Sequence, residues 1–394
     1  VRVFFQSWKA EYKNILRDKG AALMMIAAFL AYPFLVPTPY LPEVLKDVPV
    51  AVVDLDSSQM SRQLIRMLDA SELLMTVSYS RNFTEEKTNF YRGENHGIIV
   101  IPREFQRKIM RGEKAAISVY SDASYFLIYK QIITGCLQAS GTLSATIGIN
   151  HLLAKGYELD KAVHTVNPLR LTINDLFNPA GGYAEYIVPA VFIILLQQTL
   201  LIGIGILAGT RHDEYNAIHS SAENLETPSR IMGKSVAYLS IYMVHAIYLV
   251  SLLHLFYRFP QRGSLSDLFI FMFIFLFAVT FMGIALSRFF KRRETSIMIL
   301  LFTSIIALFL SGIAWPVESL PHWLRIISLI IPTTTGIDGF LRINQMGATL
   351  SDVWFDGAML CLLSIAYFLL AYVPIALKSS RQTSVDELHT KKSD

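Results

Sequence analysis

Charge is scarce in this sequence. Only 17% of its 394 residues are Asp, Glu, Lys or Arg, and 53% are hydrophobic. A soluble protein of this size is about a quarter charged. The shortage excludes a wholly soluble protein, and the charges that remain are too many for membrane spans alone. Several spans plus at least one water-exposed domain are expected. Cysteine is nearly missing too. Cys136 and Cys361 are the only two, and neither sits in a CxxC pair, so a cysteine-rich metal site or a dithiol redox motif is excluded. A disulfide between them would have to join a soluble part to a membrane interior. No Asp or Glu falls inside the long apolar runs, which argues against a pump that relays protons through the membrane.

Catalytic signatures are also lacking. "IMGKS" invites a phosphate-loop reading, but GxxxxGK[ST] needs a glycine where this chain has Pro228. No ATPase is expected on this chain. There is no GxSxG elbow and no Ser/His/Asp set at interpretable spacing, so no catalytic residue is assigned. The modest net charge of +4 points to no nucleic-acid partner. Asp54 and Asp56 in "DLDSS" are able to hold a divalent cation, but with no further acidic ligand clustered nearby they read as a strand end followed by a helix cap. His96 has no second histidine at ligand spacing. No metal site is assigned.

What is present is a set of apolar runs. A helix needs about 20 apolar residues to cross the hydrocarbon core, and six stretches qualify: 20–42, 186–210, 235–257, 268–287, 295–317 and 357–377. The first, with its crowded proline exit and no small-x-small cleavage site, reads as a retained signal anchor. Residues 131–154 also lack Asp, Glu, Lys and Arg, but are rich in Ser, Thr, Gln and Asn. They read as a long helix packed on protein in water. A seventh span is the alternative, and it would reverse the sidedness of everything after it.

Basic residues of short loops stay in the cytoplasm. With six spans, the N-terminal arm carries Arg2, Lys9, Lys13, Arg17 and Lys19. Arg211, Arg230 and Lys234 follow the second span, and Arg288, Lys291, Arg292 and Arg293 follow the fourth. The opposite short connections carry only Arg258 and Arg262, then Arg325 and Arg342. Both termini are therefore expected in the cytoplasm and residues 43–184 outside it.

The expected fold is a polytopic α-helical membrane protein with six transmembrane helices and an inserted α/β extracytoplasmic domain. Residues 1–19 form a cytoplasmic amphipathic helix with an apolar stripe of Val3, Phe4, Trp8, Tyr12 and Ile15, suited to a lipid interface. Residues 43–184 form the external domain. "VPVAVVD", a strand near Leu73–Tyr79, "HGIIVIP" and "AAISVYSD" alternate with helical patterns, the order of a compact α/β unit. A helix from about Ser124 to Ala154 follows. Residues 185–377 form a five-helix block, and 378–394 a cytoplasmic tail. Within the block, 211–234 is a polar, helix-competent connection too long for a tight turn. The 316–340 segment, marked by Trp315, Pro316, Pro321, Trp323 and Pro332, is apolar but too short to cross, and reads as re-entrant. Gln197, Gln198 and His245 lie near the middle of spans. Such groups face a bundle interior, a cavity or a partner, so they are candidates either for helix-to-helix hydrogen bonds or for a translocation path.

The stretches "VPVAVVDLDSSQMSRQLIRMLDAS", "GIIVIPREFQRKIMRGEKAAISVYSDAS", "ETPSRIMGKSVAY" and "SGIAWPVESLPHWLRIISLIIPTTTGIDGFLRI", in this order and spacing, resemble the permease subunit of type-2 ABC exporters with a large extracytoplasmic domain. The resemblance implies a bacterial inner-membrane protein working as a permease dimer, homomeric or heteromeric. ATP and Mg would be held by a separate ABC ATP-binding subunit, with no cofactor on this chain. It also implies contact with membrane lipids and, in this branch, a periplasmic adaptor of the membrane-fusion type. It places the coupling helix at 211–231, with Arg211, His212, Glu214, Glu223 and Glu226 as the contact candidates. Relatives carry a Glu-Arg/Lys-Glu then Gly-Thr pattern here; this chain has "RHDEYNAI", and Glu214 is the best match for the coupling acid. The competing reading is an envelope receptor or scaffold of similar topology with no ATPase partner.

Overall fold

The computed structural model describes residues 1–390 except 42–43, 170–171, 173–175, 179–181 and 219–226, with side chains at 213–218 and 373–390 also outside the described set. The chain divides into two compact units, Val1–Leu41 with Asp175–Asp394, and Pro42–Asn174.

The first unit opens with α1 (Arg2–Arg17). Asp18 ends it in an extended conformation and at once caps α2 (Lys19–Ala22), accepting from the N–H groups of Gly20 and Ala21 at 2.9 and 3.0 Å. An Asp at this position satisfies donors that a helix start leaves unpaired. A π-helical turn, Leu23–Ala28, leads into α3 (Phe29–Leu35), which contains Pro33. Together these make one apolar run, Lys19–Tyr40.

The second unit holds β1 (Val48–Asp54), α4 (Gln59–Asp69), β2 (Leu74–Ser80), α5 (Phe83–Tyr91), β3 (Gly97–Ile101), α6 (Phe105–Met110), β4 (Ser118–Ser121), α7 (Phe126–Ala154) and α8 (Leu159–Val166). The sheet order is β2-β1-β3-β4. β1 runs parallel to β2 and β3, and β4 is antiparallel to β3. β1 is covered on both faces, with Val50, Ala51, Val52 and Val53 fully buried, which is why it reads as an unbroken β-branched run. α7 buries Ile132, Cys136, Ala139 and Leu143, spaced 4, 3 and 4 residues apart, in the same core as Val50, Val52 and Ile99. That spacing is one stripe of an α-helix. Asp54 accepts from the N–H groups of Asp56 and Ser57 and from the Ser61 hydroxyl. Asp56 caps α6 from a distance, accepting from the N–H groups of Phe105 and Gln106 at 3.1 Å each. Burial pushes the Asp56 carboxyl up. The Ser58 side chain and the N–H groups of Gln106, Phe105 and Glu104 outweigh it and hold the carboxyl below its usual range. Both acids of "DLD" are thus engaged within the fold, Asp54 in the turn after β1 and Asp56 at the start of α6, while Ser58 caps α4. Cys136 and Cys361 are free thiols.

The rest of the first unit is α9 (Tyr183–Ile218), α10 (Pro228–Ser251), α11 (Leu265–Ser287), α12 (Arg293–Leu310), α13 (His322–Ser328), α14 (Pro332–Asn344) and α15 (Trp354–Thr390). It is a helical polytopic membrane bundle. By length and composition seven described helices are able to cross a bilayer: the six expected runs and α7. α9 is the hub. Its most apolar stretch is 89% buried, against 22% for α12. At 36 residues and about 1.5 Å per residue it exceeds a hydrocarbon core of about 30 Å.

Several boundaries differ from the sequence expectation; α12, for one, ends at Leu310 rather than 317. The second apolar run was expected to stop at Thr210, with a separate surface helix over 211–231. Instead α9 continues unbroken to Ile218, and α10 starts at Pro228 behind its Thr227 cap. "RHDEYNAI" contains no glycine or proline, so nothing in it ends a helix that packing has already nucleated. The expected tail likewise begins as a continuation of α15, which is helical to Thr390. The 316–340 region forms α13 and α14, which meet at a bend of 82°.

Candidate functional site

Two polar clusters lie inside the bundle, and a third closes one end. The first is built on α1. This helix packs along α10, where Gly233 permits the approach: a Cβ there would lie 2.6 Å from the Phe4 carbonyl oxygen and 2.9 Å from the Ser7 Cβ. The contact carries Glu11 into the interior, 1% exposed. Arg211 of α9 meets it with both terminal nitrogens, at 3.1 and 3.2 Å. The Tyr238 hydroxyl of α10 donates to the same carboxylate, and Tyr12 bonds Ser240 beside it. Seven residues on, at the end of α1, Asp18 accepts from the Thr210 hydroxyl at 2.7 Å and from Arg293 of α12 at 3.1 Å. Burial raises the Asp18 carboxyl. The bonds from Thr210, Ala21 and Gly20 and the Arg293 charge more than offset it and hold the group below its usual range. Gly209 lets α12 reach α9, since a Cβ there would meet the Arg293 backbone nitrogen at 2.4 Å. Two buried carboxylates therefore tie the N-terminal helix to the ends of α9, α10 and α12. A bidentate Arg–carboxylate pair fixes direction as well as distance.

The second cluster lies mid-bundle. Gln197 Nε2 donates to the Thr333 hydroxyl at 3.4 Å. Gln197 Oε1 and both polar atoms of Gln198 have no partner among the described residues, although these side chains are 1% and 7% exposed. Tyr242 donates to Thr199 at 3.0 Å. His245 Nε2 lies 2.7 Å from the Met25 carbonyl oxygen, and its ring stacks on Phe29 with centroids 4.0 Å apart. A carbonyl only accepts, so Nε2 carries the proton. Tyr248 and Tyr257 donate to the carbonyls of Leu30 and Pro33. All three acceptors belong to the run broken by the π turn and Pro33, where the helix ladder is irregular and outside donors are of use.

At the opposite end from α1, Pro332 opens α14 with Thr333, Thr334 and Thr335 buried behind it. The Tyr367 hydroxyl donates to the Ile330 carbonyl at 2.7 Å, and Tyr186 to Ile313 at 2.6 Å. Arg342 of α14 reaches Asp338 and Asp356 at 3.7 and 3.5 Å.

The sequence candidates divide accordingly. Arg211 is turned inward to Glu11, and His212 follows it on α9. Glu214 lies on the α9 backbone with its side chain outside the described set, and Glu223 and Glu226 lie outside the described residues altogether. Gln197 bonds Thr333 through Nε2 and His245 bonds the Met25 carbonyl, whereas Gln197 Oε1 and the Gln198 amide find no partner among the described residues. Trp315 and Trp323 are exposed, Pro316 and Pro321 bracket the short turn before α13, and Pro332 is buried.

Residues 20–373 match the family described as ABC-2 family transporter protein. The chain belongs to the ABC-2 transporter family. It is 21% identical over 359 residues to the probable multidrug ABC transporter permease YbhR of Escherichia coli, covering 89% of this chain and 93% of that one. It is 23% identical over 379 residues to the E. coli inner membrane transport permease YhhJ, covering 94% and 96%. ABC transporter G family member 20 of Dictyostelium discoideum aligns at 21% over 84% of this chain and 45% of its own length. This ABC-2 permease is a multi-pass membrane component of an ABC transporter, and the family implies an ATP-binding partner.

Glu11, Asp18, Tyr238 and Arg293 were missed as site residues in this permease. One sequence signal pointed to Glu11. It falls three residues after Trp8 and four before Ile15, on the apolar stripe of α1, where an acid demands a partner.

Proposed function

We propose that this chain is the membrane-spanning subunit of an ATP-driven exporter. It moves substrate outward from the cytoplasm or inner leaflet while a separate ABC subunit hydrolyses ATP. Two permeases, identical or homologous, form the path. The ATPase seats at the end of α9 and on the connection to α10, with Glu214 as the coupling acid and His212, Glu223 and Glu226 around it, while Arg211 is turned inward to Glu11. The α/β unit lies outside the cytoplasm, where a membrane-fusion adaptor docks.

The observation that carries this reading is the packing of α7. Its apolar stripe is spent on the sheet. Were α7 to cross the bilayer, the sheet bound to it would bring the open edges of β2 and β4 into lipid, where unpaired backbone groups are not tolerated. That supports six crossings, an even number, with both ends of the chain on one side. The cation-rich connections support the cytoplasm as that side. The inward pairing of Arg211 supports a transmission role, because a push on α9 is carried to α1 through a buried ion pair.

The test is purification of the tagged full chain from membranes, with the bound subunits identified and ATP hydrolysis measured. An ABC ATPase is expected to copurify, and Glu214→Arg to uncouple its hydrolysis from transport. In intact cells an impermeant maleimide should label Leu137→Cys and not Ser220→Cys. A chain that purifies without any ATPase, or the reverse labelling pattern, overturns the reading.

A further inference from the structure

Where α1 hands over to the first apolar run, the sequence reads "NILRDKGAAL". Amphipathic helix and membrane span meet there, so Arg17 and Lys19 fall at the depth of lipid headgroups. A cleft of about 500 Å³ opens at this junction, walled by Arg17, Lys19, Thr210, Arg211 and Arg293, with Asn14, Asp18 and Leu207. Its lining holds four cations and one carboxylate. Glu11 answers Arg211 and Asp18 answers Arg293, and Arg17 and Lys19 add two positive charges beyond these pairs. Asp18 does not repel an incoming anion as a bare acid would. One of its oxygens accepts from Gly20, Ala21 and Arg293, and the other from Thr210. The N-terminal, positive end of the 18-residue helix α12 also lies on the wall, at Arg293.

We propose that this cleft seats the phosphate headgroup of an anionic phospholipid. The neighbouring surface favours a lipid over a free phosphate ion or an acidic protein segment. Leu16 and Leu23, on either side of the junction, are 67% and 57% exposed, and give acyl chains an apolar track next to the cationic pocket. Bound there, the lipid joins α1, α9 and α12, the helices that the two ion pairs already connect. The assignment stands whether or not the chain is an exporter, since it rests only on the charge, shape and membrane depth of the cleft.

Native mass spectrometry of the detergent-purified full chain tests it. The probes are phosphatidylglycerol and phosphatidylcholine with identical acyl chains, and the main variant is Arg17→Gln/Lys19→Gln, which leaves both ion pairs in place. A control, Lys9→Gln/Lys13→Gln, removes the same charge from α1 outside the cleft. Phosphatidylglycerol should bind the unaltered chain at least about tenfold more tightly than phosphatidylcholine, and the main variant should lose that preference. The control should stay within about twofold, and millimolar inorganic phosphate should leave the bound lipid in place. Equal binding of the two lipids, or an equal loss in the control, overturns the proposal. Displacement by inorganic phosphate reassigns the cleft to a free anion. Retained lipid preference with loss of a copurifying ATPase reassigns it to a protein contact. Either result refutes the lipid assignment.

Discussion

Replacing Glu11 with alanine should release α1 from the bundle without unfolding the rest. The carboxylate is 1% exposed, held by both terminal nitrogens of Arg211 at 3.1 and 3.2 Å and by the Tyr238 hydroxyl. Removing one member of a buried ion pair costs about 3–5 kcal/mol. The Arg211 side chain is 33% exposed, so water recovers part of its solvation and the lower end applies. About 3 kcal/mol corresponds to about a hundredfold in the docking equilibrium of α1. Hydrogen exchange of the full chain in lipid nanodiscs reads this directly. Peptides covering residues 8–15 should exchange about a hundredfold faster in Glu11→Ala, with α11 peptides unchanged. Arg211→Ala should be more damaging at neutral pH, because it strands the more deeply buried charge. The two together should cost less than their sum by about 1–3 kcal/mol. An α1 exchange rate within about threefold of the unaltered chain, or strict additivity, would show that the pair does not hold the helix.

Three further expectations follow from the same geometry. Gly233→Ala places a Cβ 2.6 Å from the Phe4 carbonyl oxygen, so it should loosen α1 by about 1–3 kcal/mol in the same exchange assay, and an unchanged rate refutes the close contact. Gln198→Leu removes two buried polar atoms without partners. Each such atom costs about 1–3 kcal/mol, so the Tm of the purified chain should rise by several degrees while transport falls; no rise means that water or a partner chain satisfies them in the membrane. Asp56→Ala should destabilise the α/β unit by about 1 kcal/mol at neutral pH through loss of the α6 cap. Because hydrogen bonds hold the folded Asp56 carboxyl below its usual range, its contribution is present above the unfolded carboxyl pKa of about 3.9 and fades as pH falls through the lower folded value. The gap in Tm between Asp56→Ala and the unaltered chain should therefore close on acidification, and a gap that persists to low pH rules out a charge-dependent cap.

Local signals in the sequence were readable because local physics decides them. "VPVAVVD" is β1 to the residue, and "DLDSS" supplies two caps, Asp56 for α6 and Ser58 for α4. The apolar run 268–287 corresponds closely to α11, whereas 295–317 overruns α12, which ends at Leu310. The pairings between distant residues were not readable. Glu11 and Arg211 lie 200 positions apart, and neither residue alone indicates the other. All that showed was an acid on an apolar stripe, a local conflict that some partner had to resolve. The end of α9 was misjudged for a related reason. Polarity at Arg211–Ile218 marks where a helix leaves lipid, whereas a helix ends only where capping or a breaker ends it.

The stretch 131–154 shows the limit of composition most clearly. Its hydroxyl-bearing residues argued for water, yet Thr134, Thr142 and Thr146 each donate to the carbonyl four residues earlier, at 2.7–2.8 Å. A hydroxyl satisfied by its own helix costs little in lipid, so counting such residues does not tell a soluble helix from a span. Length and apolarity fail equally, which is why seven helices qualify. What the structure adds for α7 is the stripe Ile132, Cys136, Ala139 and Leu143, matched to a sheet whose strands were themselves legible. The packing of α7 on the sheet was therefore present in the sequence as a phase, the angular position of four apolar residues. It becomes informative only when read together with the sheet that those residues cover.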